Sequence, residues 1–193
     1  MAIIAFSAVV ILLLLYVVFT YNGLVQLRNR VDNAWAQVDV QLQRRWDLIP
    51  KVAEVAAAYL SHEHETLMNL TRARTRVAEA GSDPAARAEA EEGLTSAFRQ
   101  LFAVAEAYPD LKANTVMMEV QRELSETESK IGFARQFYND TVMMYNTRLD
   151  TFPTNLVARQ MGFQPREYFA VRDERRREMP ELNLGPGRSG SGR

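Results

Sequence analysis

From Ala2 to Tyr21 the chain runs for 20 residues, AIIAFSAVVILLLLYVVFTY, without one charged side chain. As a helix rising about 1.5 Å per residue, this stretch is about 30 Å long, the thickness of a bilayer's hydrocarbon core. Thirteen of its residues are Ile, Leu, Val or Phe. At about −0.3 to −0.6 kcal/mol each, they favour insertion by about 4 to 8 kcal/mol. Ile11 to Leu15 leave no polar face, which argues against a buried helix of a soluble core. A cleaved secretory signal is the competing reading. It fits less well, because no Lys or Arg precedes the apolar run, the run is long, and Val18-Phe19-Thr20-Tyr21-Asn22 lacks small residues for cleavage. The expectation is a single-pass anchor over residues 1–21, with Tyr21 at the interface. Arg28, Arg30, Arg44 and Arg45 follow the span, so the positive-inside rule places the remainder in the cytoplasm.

Composition narrows the chemistry available behind that anchor. There are 23 Lys plus Arg against 24 Asp plus Glu, a formal net charge of −1. Such a balance gives no support to a nucleic-acid binder that works through surplus positive charge. The chain has no cysteine, which excludes disulfides, thiolate metal sites and thiol nucleophiles.

After Asn22 the pattern is helical. Leu24, Leu27, Val31, Trp35, Val38, Leu42, Trp46, Ile49, Val52, Ala56 and Tyr59 recur at three- and four-residue steps. Pro50 interrupts this stripe, and the apolar spacing runs on through it, so a kink or a tight turn is expected there. Gly81-Ser82-Asp83-Pro84 is a firm boundary: a glycine to end one helix, an N-cap, and a proline suited to the first turn of the next. The following helix runs to about Ala107, and Pro109-Asp110 marks another break. From about Asp110 to Asp150, Met117, Leu124, Ile131, Tyr138, Tyr145 and Phe152 fall every seventh residue. Val120, Thr127, Ala134 and Thr141 lie three further on. That is a heptad seam, which predicts coiled-coil-like packing against the earlier helices. A short segment from Pro153 to Met161 is closed by Gly162. Pro50 and Pro109 fit either chain reversals, giving a compact bundle, or bends in two long helices forming a hairpin. The tail, residues 171–193, is rich in Arg, Glu, Gly and Pro and reads as disordered.

Few residues offer catalysis. His62-Glu63-His64 resembles a metal pair, but residues two apart on a helix point about 200° apart and cannot easily share an ion. Both histidines read as exposed surface. Glu89, Glu91 and Glu92 read as a solvated face of an Ala-rich helix. Tyr138-Asn139 and Tyr145-Asn146 repeat at seven residues. They could form a docking stripe, but the favoured reading packs each Tyr in the seam with its Asn at the border. Asp39, Arg45, Glu128 and Arg135 lie close to the apolar stripes and are expected to pair between helices, fixing register. No catalytic, cofactor-binding or metal-binding residue is expected.

Several stretches taken together resemble the LemA family: Tyr21-Asn22 with Leu27-Arg28-Asn29, Ala34-Trp35 through Arg44-Arg45, and Asp47-Leu48-Ile49-Pro50. Further on come His62-Glu63, Tyr108-Pro109-Asp110-Leu111-Lys112-Ala113, Thr127-Glu128, Tyr138-Asn139, Tyr145-Asn146, Phe152-Pro153 and Gly162-Phe163. The likeness spans about Tyr21 to Phe169. It implies a bacterial membrane protein anchored by its N-terminus, with residues 22–170 folded as an antiparallel four-helix bundle. It implies no catalytic residue, and a class of role near membrane proteases or membrane assembly. The functional expectation is therefore a scaffold or adaptor without enzymatic activity. It would contact lipid through Ala2 to Tyr21 and either a membrane protein partner or copies of itself, with no small-molecule substrate. The alternative is a signal-transducing protein that relays a shift along its long helices, with His62 or His64 as a modifiable site.

Overall fold

The first helix, α1, runs from Ala2 to Tyr59 without interruption, 58 residues in a computed structural model that describes residues 1–60 and 62–170. The expected disordered tail, 171–193, lies outside the described residues. Behind α1 come α2 (His64–Glu79), α3 (Pro84–Ala105), α4 (Pro109–Lys112), α5 (Thr115–Asp150) and α6 (Thr154–Gln160). No strand occurs among the described residues, so the chain is all-α.

α1 has two regimes. Ala2 to Leu15 are exposed on every side, whereas from Thr20 onward one side is buried at helical spacing: Leu24, Val31, Val38, Leu42, Ile49, Val52 and Ala56. Pro50 sits inside this helix and does not reverse it. The reversal comes ten residues later, at Leu60 to Glu63, where neither glycine nor proline announces it. Leu60 is buried, and its N–H still bonds to the Ala56 carbonyl at 2.8 Å. The Tyr108 hydroxyl donates to Glu63 Oε1 at 3.3 Å.

The next boundaries follow local rules. Gly81 adopts φ 61, a left-handed conformation open to glycine, and the Asp83 carboxylate accepts the Ala85 N–H at 3.1 Å. The last long helix starts later than its pattern suggested. α4 forms one separate turn from Pro109, and α5 then begins at Thr115, where Asn114 Oδ1 accepts the N–H groups of Val116 and Met117 at 2.9 and 3.2 Å.

α1 and α5 lie side by side in opposite directions. Trp35 meets Tyr138, Arg45 meets Glu128, and Tyr59 meets Asn114. α2 and α3 form an antiparallel hairpin, with Asn69 facing Gln100. One apolar cluster joins all of these helices far from the span, through residues such as Ile49, Leu70, Leu101 and Leu124. A second lies nearer the span and joins α1, α5 and α6 through Leu24, Leu42, Tyr145 and Ala158. The expected seam on α5 is buried from Met117 to Tyr145, with Ala134 only half-buried. Phe152 departs from it and is 75% exposed, because the helix ends at Asp150.

Leu101 is fully buried at the junction of the α2–α3 hairpin with α1 and α5. Leu101→Ala is expected to cost about 2–5 kcal/mol, measured by chemical denaturation of the detergent-solubilised chain followed by circular dichroism.

Candidate functional site

His62 lies in the turn before α2 and His64 is that helix's first residue; both are exposed. Among the described residues no cluster of three metal-ligating side chains occurs.

The charged residues near the apolar stripes converge instead on a buried centre. Arg45, 3% exposed on α1, places Nη1 3.4 Å from Glu91 Oε2 and 3.4 Å from Glu128 Oε2. Its Nη2 donates to Thr95 Oγ1 at 2.7 Å. A single cation therefore ties α1 to α3 and α5. Arg87 extends the network, with Nε 3.4 Å from Glu91 Oε1 and Nη2 3.9 Å from Asp39 Oδ1. Glu91 is thus a correction to the sequence reading. It is 5% exposed and faces the core, while Glu89 and Glu92 on either side remain solvated. A signal was present: Leu94, Phe98, Leu101 and Ala105 mark the buried face of this helix, and Glu91 continues that face one turn earlier. Arg87 and Thr95, half-buried beside it, were not singled out. Burial raises the Glu91 carboxyl above its ordinary value, opposed by Arg45 and Arg87, and burial likewise lowers Arg45. Arg135 behaves differently from its expectation. It is exposed and makes no cross-helix ion pair among the described residues; its guanidinium stands 4.9 Å from the centre of the Phe169 ring.

The repeated Tyr-Asn pairs on α5 grip an extended segment, residues 163–169, that runs back along the bundle. The Tyr145 hydroxyl donates to the Gln164 carbonyl at 3.1 Å, and that of Tyr138 to the Glu167 carbonyl at 2.8 Å. Asn146 exchanges two hydrogen bonds with the backbone of Arg166, both at 2.9 Å. Asn139 does the same with Phe169, at 3.2 and 2.9 Å. The spacing explains the match. Seven residues of helix advance about 10.5 Å, and three residues of extended chain advance about 10 Å. Gly162, at φ 73, lets the chain turn into this path. Arg166 then bonds Asp32 on α1 at 2.8 Å, and Phe169 packs against Trp35. The favoured reading of these pairs agrees with the structure: the tyrosines pack in the seam with the half-buried asparagines at its border, where they hold the chain's own segment. Burial pushes the Tyr138 hydroxyl up to about 12 and raises Tyr145 as well, so both stay protonated donors.

On the outer side of the α1–α5 pair lies an apolar groove. Phe133 (73% exposed) and Phe137 stand one turn apart on α5, opposite Ala36 and Val40 of α1, with Gln37 and Lys130 at the rim. Two uncovered phenylalanines on a folded domain mark a surface suited to contact.

These features define a class: an all-helical protein with one apolar N-terminal helix of membrane-spanning length and a helical domain continuous with it. More narrowly, the chain belongs to the LemA family, whose match covers residues 34–184. It is 28% identical over 140 residues to Protein LemA of Metamycoplasma hominis, covering 72% of this chain and 64% of that protein. Magnetosome protein MamQ 2 of Paramagnetospirillum magneticum is 24% identical over 174 residues, covering 77% of this chain and 64% of the relative. Magnetosome protein MamQ of Magnetospirillum gryphiswaldense is 21% identical over 174 residues, with the same coverages. The chain thus spans just under two thirds of the length of these relatives.

Arg45→Met leaves Glu91 buried without its main partner and is expected to cost about 3–5 kcal/mol, read by chemical denaturation. Because its folded pKa is raised, Glu91 holds its proton more tightly when folded. Its stabilising contribution is greatest below the ordinary value of 4.5 and declines as pH rises through the raised value. Glu91→Gln should flatten that slope, and at neutral pH it should cost stability, because Arg45 loses its buried counter-charge. In hydrogen exchange, Asn139→Ala is expected to deprotect the Phe169 amide and Asn146→Ala the Arg166 amide, each leaving the α5 core amides protected.

Proposed function

We propose that this protein is a non-enzymatic scaffold or adaptor of a bacterial cell membrane. It is anchored once through Ala2 to Tyr21 and presents a cytoplasmic antiparallel four-helix bundle to a protein partner or to copies of itself. The observation that carries this reading is the uncovered groove of Phe133, Phe137 and Val40 on a domain whose helices are tied together from within. A surface of that kind works by contact. Confinement to a membrane raises effective concentration, so a modest interface suffices. The buried ionic centre joins three helices, which supports a register-fixing role for it over a reactive one. Relatives named for the magnetosome, a cellular structure and not a reaction, also favour an assembly role.

The unbroken course of α1 from the apolar stretch into the domain favours a second reading, in which a shift at the membrane is relayed along that helix. Labelled ATP supplied to membranes should leave His62 and His64 unmodified under the scaffold reading. Phosphorylation of either would favour the relay.

The scaffold is tested by photo-crosslinking in native membranes. Crosslinkers at Phe133 and Phe137 of the full chain should each give a defined product with a partner or a second copy. A crosslinker at the exposed Glu92 of α3 should give none. A monomer from both phenylalanine positions would sink the reading.

A further inference from the structure

α6 is held beside the last turns of the apolar stretch. The Tyr16 hydroxyl faces the side chains of Thr20 and Thr154. Thr20 is buried, and the Tyr21 ring meets that of Phe163 edge to face at 5.6 Å between centroids. Ala2 to Leu15, by contrast, are open on every side.

This attachment sets a length condition. Ala2 to Tyr16 as helix covers about 22 Å, short of the hydrocarbon core of about 30 Å. The uncharged stretch matches that thickness when it takes in Val17 to Tyr21, the same turns to which α6 is fixed. When α1 crosses the bilayer, α6 is therefore carried to the membrane boundary with it.

The side chains there suit that position. α6 turns Thr154, Val157 and Ala158 inward, and Leu156 outward at 60% exposure. Phe152 just before it and Met161 just after it are uncovered too. Arg148, in the last turn of α5, and Arg159 are exposed beside them. Apolar tips with flanking arginines are what an interfacial segment presents, the tips toward acyl chains and the guanidinium groups toward phosphates. We propose that the turn between α5 and α6, together with α6, is a second membrane contact. Phe152, Leu156 and Met161 seat in the interfacial layer of the lipid bilayer that α1 crosses. The inference rests on the reading of Ala2 to Tyr21 as a membrane span, and continuity with that apolar surface identifies lipid as the occupant.

The chain has no cysteine of its own, so single cysteines report position directly. Leu13→Cys, Phe152→Cys, Leu156→Cys and Asp110→Cys, each in the full chain, are labelled with an environment-sensitive fluorophore. They are placed in vesicles of phosphatidylcholine and phosphatidylglycerol, with and without brominated acyl chains. All four positions are exposed, so the core is untouched. Emission from 13, 152 and 156 is expected to shift to the blue and to be lost with brominated lipid, while 110 does neither. If 13 is quenched and either 152 or 156 behaves like 110, the second contact is overturned and the anchor stands. If 13 itself is not quenched, the anchor reading falls and this inference falls with it.

Discussion

The pairing of α1 with α5 is the constraint on which the other elements depend. Neither helix is short, and a 36-residue helix such as α5 has no stability of its own that approaches what its buried side supplies. Leu24, Val31, Val38 and Leu42 on one helix and Ile131, Tyr138, Val142 and Tyr145 on the other form one continuous apolar contact. Because α1 is continuous with the apolar stretch, this contact also fixes how the domain stands relative to the span. The α2–α3 hairpin then closes the far half through Leu70, Leu101 and Phe98.

Within this apolar frame the buried ions act on specificity more than on stability. Taking Arg45 and Glu91 out of water costs several kcal/mol for each ion, and their mutual attraction with Glu128 and Arg87 offsets that cost only when the helices are in register. A slip of one turn would leave a charge buried and unpaired. Leucine packing alone tolerates such slips far better. The network therefore selects one alignment of α1, α3 and α5 among several that burial would accept.

Much of this was legible in the chain. The apolar stretch, the seam on α5, and the boundary at Gly81 to Pro84 each rest on a local rule that tertiary structure had no reason to override. The bend after Tyr59 was not legible, because neither glycine nor proline marks it. At Pro50, where either a kink or a tight turn was expected, the helix runs on, which excludes the turn. Glu91 could have been told from Glu89 and Glu92, since it alone lies on the face that Leu94, Phe98 and Leu101 continue; only its pairing with an arginine 46 residues earlier was hidden. The extended segment 163–169 has no periodic pattern of its own. Its only trace was the seven-residue recurrence of Tyr-Asn on the helix that holds it.

That grip has an evolutionary consequence. Every hydrogen bond that Tyr138, Asn139, Tyr145 and Asn146 make to the segment goes to main-chain oxygen or nitrogen. Recognition of this kind is blind to the identity of the gripped residues. Drift at Gln164 or Tyr168 should pass almost unnoticed by selection, whereas an interchange as mild as Asn146→Asp abolishes a donor that no neighbour replaces.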